Sequence, residues 1–187
     1  MNNYSNIFIR PAGFCTLAFF LSCSSPDEKK ITPSPAAAVA PAPVLKPTDY
    51  LNFTVDSVEI PAFEIDLSLS QKAEEKLKAG KETVIIAAYF SGIPKDTTSK
   101  EYRKQGEIAL SAVDRELSGE RVAKFEGIRF AKKLYNSITE ESLSVLINVY
   151  SGRRSGRLNL LNCDIYQGPV SGIKGKKIVI SGKLIDE

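Results

Sequence analysis

Three arginines within five residues, Arg153, Arg154 and Arg157 in Ser151-Gly-Arg-Arg-Ser-Gly-Arg, form the most chemically suggestive group in the sequence. Guanidinium groups grip phosphates and carboxylates through paired N–H donors, and a glycine-containing loop can present them together. Lys174, Lys176 and Lys177 would extend the patch if both loops met at one end of the fold. The ordinary role of such residues is to solvate a turn and keep a sheet edge from aggregating.

Other constellations carry less. Ser171-Gly-Ile-Lys174 has the Ser-x-x-Lys spacing of penicillin-recognising enzymes, but that chemistry needs a helix to align the pair, with Ser-Asp-Asn and Lys-Thr-Gly partners. Neither partner is present, and Gly172 and Gly175 favour a hairpin. Glu64 and Asp66 alternate with apolar residues, so they share one exposed strand face, where carboxylates solubilise. Histidine is absent from the 187 residues, which removes the commonest general base and metal ligand. Asp56, Asp66, Asp96, Asp114, Asp164 and Asp186 are scattered without an Asp-x-Asp pair, unlike a calcium-binding loop cluster. Cys163 has no cysteine partner nearby and reads as a small buried hydrophobe. Tyr89, Tyr102, Tyr135, Tyr150 and Tyr166 could line a groove, although tyrosines at strand ends usually pack with the hydroxyl in water. The expectation is a protein with no catalytic residues, no metal and no cofactor.

The elements that must position these residues are short and β-forming. Thr83 to Phe90 (Thr-Val-Ile-Ile-Ala-Ala-Tyr-Phe) is an uncharged run bounded by Gly80 and Ser91-Gly92, the mark of a buried central strand. Leu143 to Tyr150 is the second such run and the expected neighbour. Phe63 to Leu69 alternates Phe63, Ile65, Leu67 and Leu69 with polar residues, a strand with one wet face. Ser68 or Ser70 caps a short helix, residues 71–79, stopped by Gly80. Tyr50–Val55, 107–113, 121–130, Cys163–Tyr166 and 177–185 supply further strands, and Ser91 to Gly106 is the longest loop. Regular turn punctuation without crossover helices predicts an all-β fold for residues 50–187, a two-sheet antiparallel β-sandwich of immunoglobulin-, transthyretin- or C2-like type with one short helix.

Composition bounds the rest. There are 25 Lys and Arg against 22 Asp and Glu, a net charge of +3, too mild for a dedicated nucleic-acid binder. Residues 1–22 read as an export signal: Arg10 and the α-amine, then the apolar run Phe14 to Leu21, far short of the ~20 residues a spanning helix needs. Residues 23–49 are rich in Pro, Ala and Ser and read as a tether.

Leu21-Ser22-Cys23 resembles the processing site of a bacterial lipoprotein signal. The resemblance implies a covalent lipid on Cys23, and Ser24 after it implies the outer membrane, facing the periplasm or the cell surface. Anchor, linker and small sandwich together are similar to β-sandwich lipoproteins of the bacterial envelope, among them the outer-membrane lipoproteins of type VI secretion systems. That likeness is architectural and carries no residue-level motif. What it implies is a binding or scaffolding module that docks an envelope protein or cell-wall partner through its loops. The alternative is an envelope hydrolase working without histidine.

Overall fold

The computed structural model describes residues 45–98 and 100–187, with only the backbone of Glu101. The leader 1–22, Cys23 and the tether as far as residue 44 lie outside the described residues. Among these there are eleven strands and three short α-helices.

Two four-stranded sheets form the sandwich. One has the order β10-β8-β4-β5, from β4 (Val84–Gly92), β5 (Ile108–Leu117), β8 (Ser144–Ser151) and β10 (Tyr166–Pro169). The other has the order β6-β3-β11-β9, from β3 (Phe63–Leu69), β6 (Val122–Phe125), β9 (Leu161–Cys163) and β11 (Lys177–Leu184). Val84, Ile86, Ala88 and Phe90 of β4 and Val145, Ile147 and Val149 of β8 face Phe63, Ile65, Leu67, Phe125, Ile178 and Ile180 in one hydrophobic core. Phe63 stitches the layers: its ring stacks on Phe125 at 4.9 Å and meets Phe90 of the opposite sheet edge-on at 6.5 Å.

The central strand is β4, paired on both sides with β8 and β5, as an uncharged strand requires. A third, smaller sheet, β1 (Asn52–Phe53), β2 (Ser57–Glu59) and β7 (Arg129–Ala131), covers one end. Gly127, at φ 65°, makes the turn by which the chain leaves β6 for β7 in this other sheet.

Four details differ from the sequence expectation. First, β11 runs parallel to β3, from Lys177 opposite Glu64 to Gly182 opposite Leu69; parallel and antiparallel strands share one side-chain period, so alternation could not separate them. Second, residues 163–166 are not one strand. The chain passes between sheets at Asp164, whose N–H donates to the Ser181 carbonyl at 2.8 Å. Third, β5 runs on to Leu117, four residues beyond the expected end of that strand at 113. Fourth, α2 (Lys100–Gln105) and α3 (Lys132–Ser137) accompany α1, where one helix was expected. Both are six-residue helices, too short for a helical period to stand out.

Helix α1 (Gln71–Gly80) begins as expected, with Ser70 Oγ accepting from the Ala73 N–H, and it buries Ala73 and Leu77. It runs through Gly80 instead of stopping before it, and the C-cap is Lys81, in the left-handed region at φ 50°. The Glu82 N–H then donates back to the Leu77 carbonyl at 2.8 Å, and that turn aims Glu82 under the β8–β9 loop. No helix among the described residues is long and apolar enough to cross a membrane.

Candidate functional site

The arginine loop, residues 152–160, lies beside the α1–β4 junction. Its base is closed by two side chains. Asn159 Oδ1 accepts from the Ser151 and Leu161 N–H groups at 2.9 and 3.1 Å, its Nδ2 donates to the Leu161 carbonyl at 2.7 Å, and Ser151 Oγ accepts from the Leu160 N–H at 2.9 Å. Gly152 crosses over Thr83, donating to its carbonyl at 2.8 Å; a Cβ there would land on Thr83 Oγ1, so the close approach requires glycine.

Inside the loop sits an anion, and it belongs to the protein. Glu82 is only 5% exposed. Its Oε1 accepts from the N–H groups of Thr83 (3.0 Å) and Arg154 (2.8 Å), and its Oε2 from the Ser155 N–H (2.7 Å) and Ser155 Oγ (2.5 Å). Arg153, at φ 59°, takes the left-handed turn that precedes the two converging amides, the kind of backbone concavity that binds anions. Burial pushes the Glu82 carboxyl up, but these hydrogen bonds, led by Ser155 Oγ, outweigh it and hold the pKa below the ordinary carboxylate value.

A second carboxylate neutralises one of the arginines. Arg154 grips Glu116 of β5 with Nε on Oε1 at 2.8 Å and Nη2 on Oε2 at 2.7 Å, and Thr83 Oγ1 adds a third bond at 2.7 Å. The Arg154 and Thr83 hydrogen bonds lower the Glu116 carboxyl to about 2. Arg154 is therefore part of the loop's frame. Arg153 and Arg157 make no hydrogen bond or ion pair through their side chains among the described residues, and Leu158 is 78% exposed. A cleft of about 540 Å³ separates the loop from α1, lined by Lys76, Ala79, Gly80, Arg157, Leu158 and Leu160 among others.

Acid should loosen this arrangement. Both carboxylates titrate lower in the folded chain than in the unfolded one, so their stabilisation is complete above the unfolded glutamate pKa and is lost as pH falls through the folded values. Thermal melts between pH 7 and 2 should show stability declining below about pH 4.5, with the Glu116 part fading towards pH 2. A Glu82→Gln variant should show a shallower decline, and an equal slope would exclude Glu82 as a contributor.

The lysines do not extend the arginine patch. Lys177 opens β11, while the Ile185 N–H, just past its other end, donates to the Leu160 carbonyl at the base of the arginine loop. The two loops are thus a strand length apart, on the order of 25 Å. Lys177 pairs with Asp66 at 2.8 Å, Lys174 Nζ donates to the Asp49 carbonyl at 2.6 Å, and Lys176 borders a separate cleft with Lys124 and Glu126.

The remaining candidates also fall into place. Ser171 lies in a three-residue 3-10 turn (Val170–Gly172), and the lysine it would need is engaged with Asp49. Glu64 and Asp66 share the outer face of β3, as their spacing suggests, and each pairs with a lysine on a neighbouring strand. Burial, then the Asp164 charge, pushes the half-buried Cys163 thiol up to about 11, far from a reactive thiolate. Among the described residues no cluster of three or more His, Cys, Asp or Glu could hold a metal ion.

Glu82 escaped the sequence reading. Its only local signal is an acid wedged between a helix stop and a buried strand, and three of the four donors it meets lie more than seventy residues later. The chain matches no known protein family, and neither a curated protein nor a solved structure shows significant similarity to it.

Proposed function

We propose that this protein is a lipid-anchored binding or scaffolding module of the bacterial cell envelope, without catalytic chemistry of its own. In this reading residues 1–22 direct export, Cys23 carries the lipid, and residues 23–49 hold the sandwich off the outer membrane. The observation that supports a docking role is the loop braced on Glu82. Its backbone is held by a buried carboxylate, and it directs Arg153, Arg157 and Leu158 outward. A preorganised loop with charged and apolar tips binds a partner at little entropic cost, and exposed apolar side chains beside arginines are common anchors at protein interfaces.

The test is in-cell crosslinking followed by affinity capture of the tethered protein. The comparison is an Arg153→Glu/Arg157→Glu variant that retains Arg154, since reversing Arg154 would break the frame. The expected outcome is a crosslinked envelope partner lost in the variant, with an unchanged melting temperature. Equal recovery from both proteins would remove the loop from the interface. Cys23→Ser should move the protein from the membrane to the soluble fraction, and membrane retention would remove the anchor.

A further inference from the structure

The cleft between α1 and the arginine loop has two walls, and one residue ties them together. The Glu82 N–H donates to the Leu77 carbonyl of α1 at 2.8 Å, while the Glu82 carboxylate holds the Arg154 and Ser155 amides of the loop. The walls meet at Gly80, where a Cβ would stand 3.3 Å from Ser155 Cβ. Lys76 and Ala79 on one side and Arg157, Leu158 and Leu160 on the other border the space of about 540 Å³ between them. Each wall is also fixed separately, α1 by its Ser70 cap and the loop by Asn159 at its base. A guest therefore enters a cleft whose backbone is already ordered.

The lining holds two cations and no anion. Lys76 and Arg157 are both exposed, and neither has a hydrogen bond or ion pair among the described residues, whereas Arg121, Lys124, Arg129, Arg154 and Lys177 each pair with a carboxylate. The acids in the neighbourhood are engaged elsewhere. Glu82 lies beneath the loop amides and Glu116 is gripped by Arg154. Glu75 accepts from Gln71 Nε2 at 2.9 Å and borders a different cleft, and Glu187 accepts from Ser70 Oγ at 2.6 Å. Asp186 follows Ile185, whose N–H meets the Leu160 carbonyl, and lies outside the lining. The negative end of α1 is closed by its own cap, since the Leu77 and Lys78 carbonyls accept from the Lys81 N–H. Lys76, Arg153 and Arg157 thus outnumber the two acids, Glu82 and Asp186, that no cation neutralises.

Apolar surface adjoins these charges: Leu158 is 78% exposed, Ala79 is exposed and Leu160 is half-buried. A flat anionic membrane can touch Arg157 and Leu158 but cannot follow the concave surface behind them. An extended chain that carries carboxylates beside an aliphatic side chain meets both. We propose that this cleft seats the docking partner and takes an acidic segment of a protein, with an aliphatic side chain against Ala79, Leu158 and Leu160 and carboxylates on Lys76 and Arg157. The inference rests on the docking role of the arginine loop and adds α1 as a second wall.

Lys76 and Ala79 separate the two readings, because both are exposed on α1 and neither belongs to the loop. The probe is the end-capped peptide Asp-Glu-Leu-Leu-Asp-Glu, titrated into the full-length chain by two-dimensional NMR. Asp-Glu-Ser-Ser-Asp-Glu, Lys-Lys-Leu-Leu-Lys-Lys and phosphatidylglycerol vesicles serve as comparisons. Saturable shifts of the Ala79, Gly80 and Leu158 amides are expected with the first peptide, with binding about tenfold weaker once the leucines are replaced and absent with the lysine peptide. Ala79→Phe, which fills the cleft, and Lys76→Glu should each weaken binding about fivefold or more with an unchanged melting temperature, and both should reduce the in-cell crosslink. No saturable shift with the acidic peptide, or binding unchanged in both variants, overturns the cleft. If the crosslink then still depends on Arg153 and Arg157, the docking loop stands and only its partner's chemistry is wrong. Peptide binding at the cleft with a crosslink indifferent to the loop removes the docking reading instead. Binding of the vesicles in place of the peptide overturns the inference in favour of an anionic membrane surface.

Discussion

Glu82→Ala should destabilise the folded domain by about 2–4 kcal/mol, one of the two largest effects expected of any single substitution in the domain. The substitution leaves the amides of Arg154 and Ser155 and the Ser155 hydroxyl without the acceptor that organises them, and hydrogen bonds to a charged group are worth about 1.5–3 kcal/mol each. Water just beyond the loop can solvate part of what is exposed, which keeps the sum below the arithmetic total. In a domain of this size the melting temperature should fall by roughly 10 °C. Trypsin should then cut after Arg153 or Arg157 much faster than in the parent, because the loop would have lost its brace. Glu82→Gln should fall between the two, since one amide oxygen accepts while the NH₂ group faces donors. Acetate should partly restore stability to Glu82→Ala by mass action, because the vacated concavity is an anion site. A melting temperature within about 2 °C of the parent, a shift under about 1 kcal/mol, would mean that the loop is held by Asn159 and the Arg154–Glu116 pair alone.

Phe63→Ala should cost about 3–5 kcal/mol in urea denaturation. Phe63 is 2% exposed and is the ring through which the sheets meet, stacked on Phe125 and edge-on to Phe90. Both neighbours belong to rigid, hydrogen-bonded strands, so they cannot close over the space left behind, and the cavity adds to the lost transfer free energy. Val179→Ala, on the solvent face of β11 at 64% exposure, should change stability by less than about 0.5 kcal/mol. A loss below about 1.5 kcal/mol for Phe63→Ala would show that the sheets slide together and that no single ring sets their spacing.

The two variants probe different layers of the design. Phe63 holds the scaffold, while Glu82 shapes one surface of it. An intact sandwich with a loosened loop is therefore the expected state of Glu82→Ala, and its strand amides should remain protected from hydrogen exchange while those of residues 152–160 do not.

The local sequence determined β3 through its period-two pattern, β4 and β8 through their uncharged apolar runs, and the start of α1 at Ser70, because burial and capping act over a few residues. The uncharged composition of β4 was enough to make it central, since a strand without charge must be covered on both edges and on its core face. Tertiary structure alone decided what those strands meet. The parallel pairing of β11 with β3, the passage between sheets at Asp164 and the separation of Lys174–Lys177 from the arginine loop depend on which backbone donors find which acceptors, and residue period is silent on that. The same holds for the arginine loop. Three nearby arginines suggested an anion site, but only the fold brings Glu82 into it and spends Arg154 on Glu116, because both carboxylates lie far away in sequence.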